Sequence, residues 1–224
     1  MHYFDPGYFK RSSSSSVRSS IPSRSITQRL IAWELDGRYY DGDRSNGYGG
    51  YDYQLDRWHE VVLNTFRHFE LGDGCSVLDI GCKKGFFGRA VIELFPNCEV
   101  IGIENHSYPL ECNQAPDSVE FRLGSYYDLH SFADQSFDLV WSFSAIYMQS
   151  LGDVVRTLRE FERVGKNKFV TLGAFADEHE RARFKDWTLI GTTSLSESDW
   201  IEVMEWSSYS GDYFFTTPKV LGLI

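Results

Sequence analysis

The chain has 224 residues, enough to bury a sizeable core in one domain with an N-terminal extension, and its 42% apolar and 16% aromatic content belongs to a globular protein. Its net charge of −10 is uneven, +4 over residues 1 to 29 and −14 over the rest; a body that acidic is a poor polyanion binder, which disfavours nucleic acid. No run approaches the roughly 20 apolar residues of a membrane span, and no apolar signal segment follows Met1. The cysteines Cys75, Cys82, Cys98 and Cys112 lack C-x-x-C spacing, so reduced thiols in a cytoplasmic protein are expected.

Residues 1 to 25 hold the run Arg11-Ser12-Ser13-Ser14-Ser15-Ser16 and little apolar surface, which predicts a disordered Ser/Arg-rich tail. A second segment, 26 to 54, begins with a short helix over Ile26 to Leu35. It continues into Tyr39-Tyr40-Asp41-Gly42-Asp43-Arg44-Ser45-Asn46-Gly47-Tyr48-Gly49-Gly50-Tyr51, too rich in glycine for a regular element. Tyrosines interleaved with glycines suit a flap that closes over a ligand, with Tyr48 able to stack on a base; rings packed on the core are the alternative.

From 55 to 224 the pattern alternates. A helix over Leu55 to Leu71 is followed by strand Ser76 to Ile80, helix Phe86 to Phe95, strand Glu99 to Ile103, a weak helix near Tyr108 to Asn113 and strand Val119 to Leu123. Then come strand Phe137 to Ser142, helix Leu151 to Val164, strand Lys168 to Leu172, helices near Asp177 to Trp187 and Asp199 to Trp206, and strand Tyr213 to Thr217. Continuous apolar strands alternating with helices predict a doubly wound, mainly parallel α/β sheet of Rossmann-like type, helices on both faces, with ligands at the strands' C-terminal tips.

At those tips stand the informative residues. Asp79 ends the first strand and precedes Gly81-Cys82-Lys83-Lys84-Gly85, a turn that opens a helix. The G-x-G-x-x-G that holds a pyrophosphate is missing, which argues against a nicotinamide-dependent oxidoreductase, while a carboxylate beside the loop suits a cationic ligand end. Glu104 ends the second strand, placed to accept the hydroxyls of a ribose. A nucleoside with positive charge and no phosphate describes S-adenosylmethionine.

The chain thus resembles the class I S-adenosylmethionine-dependent methyltransferases, through Leu78-Asp79-Ile80-Gly81-Cys82-x-x-Gly85-Phe86, Glu104, Gly124-Ser125-Tyr126-Tyr127-Asp128-Leu129 and Ser136-Phe137-Asp138-Leu139-Val140. The Gly47-Tyr48-Gly49-Gly50-Tyr51 segment is similar to one that precedes the cofactor domain in some small-molecule and sugar-pathway members. The resemblance implies a seven-stranded sheet with its last strand antiparallel. It also implies a cofactor site of Asp79, Gly81, Cys82, Gly85, Glu104, Asn105, Ser125, Tyr126, Ser142 and Tyr48. Lys83 stands at a frequent glycine and Ser125 at a frequent acid, two departures that bear on cofactor binding.

Methyl transfer needs a base only if the acceptor must lose a proton. His106, Tyr147 and His179 lie beyond strand tips, and His179 combines place and pKa best. No metal-ligand spacing occurs. The expected activity is methylation of a small-molecule oxygen or nitrogen, in sugar, polysaccharide or secondary metabolism; the alternative is an inactive methyltransferase-like binding or scaffolding protein. The sequence leaves monomer and homodimer equally open.

Overall fold

The computed structural model describes residues 1–9 and 23–224. Helix α1 spans Ile26–Trp33, started by a capping box in which Ser25 and Gln28 satisfy each other's backbone N–H groups. A single turn, α2, follows at Gly37–Tyr40, and α3 spans Leu55–His68 with Trp58, Val61, Val62, Thr65 and Phe66 buried on one face. The repeating part then runs β1 (Ser76–Ile80), α4 (Phe86–Leu94), β2 (Glu99–Glu104), α5 (Ser107–Glu111), β3 (Val119–Leu123) and β4 (Phe137–Ser142). It closes with α6 (Leu151–Val164), β5 (Gly165–Phe175), α7 (Glu178–Trp187), β6 (Leu195–Ser196), α8 (Glu197–Trp206) and β7 (Asp212–Thr216).

The strands form one seven-stranded sheet in the order β3-β2-β1-β4-β5-β6, with β7 also on β5. The order reverses between β1 and β4, whose register pairs Val77 with Leu139 and Asp79 with Trp141. That reversal opens a crevice beyond the strand tips, where ligands of doubly wound sheets bind. Alternate side chains feed two cores. Leu78, Ile80, Val140, Val170 and Leu172 pack under α6 and α8, whereas Val77, Leu139, Trp141 and Phe169 pack under α3 and α4. Burial on both faces explains why the strands read as unbroken apolar runs.

Three features depart from the sequence expectations. The last strand runs parallel to β5, pairing Phe169 with Asp212 through Gly173 with Thr216, not antiparallel. With β6 only two residues long and α8 carrying the chain back to the sheet's starting edge, no hairpin precedes β7 and it must run forward. Secondly, the Tyr/Gly-rich segment contains the helical turn α2, with Tyr39 and Tyr40 buried and Tyr48 N and Gly50 N donating to the Tyr39 and Tyr40 carbonyls. Thirdly, of the expected 1 to 25 tail, residues 10–22 lie outside the described residues, while 1–9 pack on the body. Tyr3 bridges Tyr213, Phe4 N donates to the Tyr213 carbonyl at 2.9 Å, and the Phe4 ring stacks on His68 at 3.9 Å.

Candidate active site

Asp79 is 3% exposed and receives no hydrogen bond among the described residues. Burial, reinforced by the Glu104 charge and opposed by Lys83, raises its carboxyl to about 7. The turn beyond it is held to β2, since Gly81 N and Cys82 N both donate to the Ile103 carbonyl. Gly81 sits at φ +73, and a Cβ there would lie 2.1 Å from the Ala145 methyl. Gly85, at φ +76, would meet the Phe121 ring at 2.5 Å. Both glycines therefore answer to close packing, against Ala145 beyond β4 and Phe121 on β3, as well as to backbone conformation.

Lys83 adopts φ +53, the left-handed backbone that the spaced glycines of this turn also use, and is 6% exposed. Its ammonium donates to the carbonyls of Phe143 at 2.9 Å and Ser144 at 3.2 Å, so it ties the β1 turn to the β4 tip across the crevice. Neighbouring Lys84 pairs with Asp41 at 2.7 Å, and Tyr108 donates to the same carboxylate at 2.8 Å. These contacts, with Tyr53 N on Gln114 Oε1 at 3.0 Å, latch the tyrosine segment onto the domain.

Glu104 is 2% exposed. Its Oε2 accepts from Lys83 N at 3.0 Å, and its Oε1 accepts from Tyr126 OH and Asn105 N, each at 2.8 Å. A carboxylate has about four acceptor positions, so room remains for a ligand hydroxyl. Glu104, Asn105, His106, Ser125 and Tyr126 line a cleft of about 550 Å³. Beyond the tips of β1 and β4 lies a second cleft of about 280 Å³, walled by Tyr48, Tyr51, Trp58, Phe143, Tyr147 and Trp187. Tyr39, Lys83, Met148 and Ile190 line both, forming a shared wall.

The fold brings most expected cofactor residues together in two groups. Asn105, Ser125 and Tyr126 gather at Glu104, whereas Gly81 and Cys82 surround Asp79 in a small cavity of about 10 Å³. Tyr48 lies instead in the aromatic cleft, its ring 4.2 Å from Tyr51. Gly85 and Ser142 line none of these cavities; Ser142 is fully buried within β4 and its hydroxyl has no partner. The three expected acid–base residues fall in three different places. His179 is exposed on the first turn of α7, whose buried face carries Glu180 and Phe184, and lines neither cleft. His106 belongs to the Glu104 cleft, its Nδ1 2.6 Å from Asn105 Oδ1. Tyr147 does line the aromatic cleft, but burial raises its phenol, which keeps its proton and does not act as a base. What sequence reasoning missed is a set of cations around that cleft, Arg24, Arg44 and Arg57; Arg24 had been grouped with the tail.

Comparison with known proteins places these features. A family profile described as "Methyltransferase domain" matches residues 71–187, more than half of the chain. The chain belongs to that family, and is a methyltransferase whose cofactor is S-adenosylmethionine. No curated protein matches the sequence. Among solved structures, it is similar to a chain in the complex between the Haloferax volcanii Trm112 methyltransferase activator and a candidate methyltransferase, with 23% identity, TM-score 0.53 and coverage of 82% of this chain and 77% of that one. YcgJ from Bacillus subtilis gives 24% identity, TM-score 0.51 and coverages of 64% and 65%. A candidate methyltransferase from Bacillus halodurans gives 17%, 0.52, 65% and 67%. At these identities the structures agree in fold.

The residues in place fit the cofactor. Glu104 offers spare acceptor capacity in a cleft large enough for a nucleoside, and Asp79 is a buried acid whose carboxylate accepts from no donor among the described residues, of the sign that a cationic amino-acid end requires. Among the described residues no helix is long and apolar enough to cross a membrane, and no His, Cys, Asp and Glu group could hold a metal ion.

Proposed function

We propose that the protein methylates an oxygen or nitrogen of a small molecule held in the aromatic cleft, with the cofactor's adenosine in the Glu104 cleft. The observation carrying this reading is the wall of Tyr39, Lys83, Met148 and Ile190 that the two clefts share, across which a donor and an acceptor can meet. A volume of about 280 Å³ suits a monosaccharide-sized or single-ring body, as in sugar or secondary metabolism, better than a polymer.

In this reading Glu104 orients the ribose, Ser125 and Tyr126 flank the base, and Asp79 faces the amino-acid end. When bound, S-adenosylmethionine supplies a methyl on a good leaving group: an acceptor lone pair forms the new O–C or N–C bond, the S–C bond breaks with its electron pair kept by sulfur, and the acceptor's proton passes to water. The aromatic walls exclude bulk water and hold the acceptor in line, which can supply much of the acceleration without a base. No imidazole lines the acceptor cleft among the described residues, in keeping with that assignment.

The test is methyl-labelled S-adenosylmethionine incubated with a panel of small hydroxylated and amino compounds, and separately with RNA and protein extracts. Label entering small molecules supports the reading. Label entering only macromolecules would sink it.

A further inference from the structure

Five buried side-chain polar atoms have no hydrogen-bond partner among the described residues, and three belong to residues that line the aromatic cleft: Arg24 Nε, Trp187 Nε1 and Thr216 Oγ1. All three carry a hydrogen to donate. Buried donors left unpaired are costly, and three of the five belong to residues around this one cavity.

The charge around the cleft has the matching sign. Arg24, Arg44, Arg57 and Lys83 line it against one acid, Asp52, in a protein whose net charge is −10. Lys83 is spent on the Phe143 and Ser144 carbonyls, and Arg57 lies over the Tyr8 ring. Arg24 and Arg44 are not neutralised. Arg24, 9% exposed, gives one terminal nitrogen to the Ser45 carbonyl at 2.8 Å, and Arg44 gives one to the Gly47 carbonyl. Neither forms an ion pair with a carboxylate of the described residues, and the sequence of residues 10–22 contains no Asp or Glu to supply one. Burial, followed by repulsion from the Arg44 and Arg29 guanidinium groups, lowers the Arg24 pKa. A buried arginine without a counter-charge is costly, and a bound anion would remove that cost.

We propose that the methyl acceptor is an organic anion, a carboxylate or phosphate monoester carried on a ring, whose charged group is held by Arg24 and Arg44 while the aromatic wall holds the ring. This rests on the aromatic cleft being the acceptor site. Neither arginine belongs to the wall shared with the Glu104 cleft, so the charged group is the anchor and the methylated atom lies at the other end of the molecule.

The test uses benzoate and phenyl phosphate against neutral benzamide as probes, titrated by ligand-observed NMR into the full chain with and without S-adenosylhomocysteine. The anions are expected to bind on the order of tenfold more tightly than benzamide, as charge-assisted hydrogen bonds imply. Arg24→Gln should bring the three probes to within about twofold of each other, with Arg24→Lys intermediate. Arg44→Gln, at an exposed residue, should cut the anion preference in the same direction. Equal binding of anions and benzamide to the wild type, no binding of any probe, or a preference that survives both glutamine variants would overturn the proposal. Binding of S-adenosylhomocysteine is scored separately: retained cofactor binding without anion preference refutes the anionic acceptor alone, whereas anion preference without cofactor binding keeps the anion site and refutes the methyl-transfer assignment of the two clefts.

Discussion

The ammonium of Lys83 donates to the carbonyl of Phe143 at 2.9 Å, joining the tip of β1 to the tip of β4 where the two clefts meet. The backbone there is strained, at φ +53, by about 1–2 kcal/mol relative to glycine. Two charge-assisted bonds, to Phe143 and Ser144, contribute about 1.5–3 kcal/mol each. Their loss outweighs the relief of strain, so Lys83→Gly should be less stable than the wild type by about 1–5 kcal/mol in urea unfolding. Cofactor affinity should move the other way. In the proposed reading the sulfonium presents its methyl at this wall, so removing a positive charge there should tighten S-adenosylmethionine binding in calorimetry, and weaker binding would show that Lys83 holds the cofactor.

Asp79 links ligand binding to pH. Its folded carboxyl, at about 7, lies above the ordinary value of about 3.9, so the native state holds an extra proton between those limits. Stability therefore falls as pH rises from about 4 to about 7 and levels off above. Asp79→Asn removes that loss and should be more stable than the wild type at pH 8, by an amount on the order of a few kcal/mol, with the gain vanishing near pH 4. A cationic ligand favours the ionised acid. The wild type should bind S-adenosylmethionine more tightly from pH 6 to 8 and release a proton on binding at pH 6, whereas the asparagine variant should show weak, pH-independent binding.

Glu104 holds three donors, Lys83 N, Tyr126 OH and Asn105 N. Glu104→Ala leaves buried donors unpaired and withdraws the ribose acceptor. It should lower affinity for S-adenosylhomocysteine on the order of a hundredfold, and thermal unfolding should shift down by several degrees. Tyr126→Phe frees an acceptor position on the carboxylate and should cost cofactor affinity far less than Glu104→Ala. Equal losses in the two variants would contradict the ribose assignment.

Thiol reactivity should divide the cysteines one against three. Cys75 Sγ lies 3.4 Å from Cys98 Sγ, both buried, and burial raises the Cys75 thiol to about 12. Burial also raises Cys82, beside Asp79. Cys112 alone is partly exposed. A chromogenic disulfide reagent at pH 8 should therefore count one fast thiol in the native protein and four in guanidinium. A fast reaction at Cys82 that cofactor suppresses would instead show the loop opening.

Local chemistry made much of this protein legible in its sequence. The bounds of β1, β3, β4 and α6 follow from apolar runs and from caps such as Ser150, whose hydroxyl accepts from Asp153 N. The placing of Asp79 and Glu104 at neighbouring strand tips follows from the parallel order of β1 and β2, in which Ile80 pairs with Ile103. Properties of this kind depend on residues a few positions apart and on the handedness of βα units. Other properties were decided by distant partners. The seventh strand's direction depended on where α8 returned the chain, and Tyr3 and Phe4 were ordered by an unpaired edge at Tyr213, 210 residues away in the case of the His2 bond to Asp212. The aromatic cleft is the clearest instance. Arg24, in a serine-rich stretch that reads as a tail, is buried because Ser23 bonds Asp186 and Arg29 bonds the Lys185 and Thr188 carbonyls at the end of α7. Charge in a sequence has no address, and only the packing of the first segment on the seventh helix turned a solvated arginine into one facing a cleft.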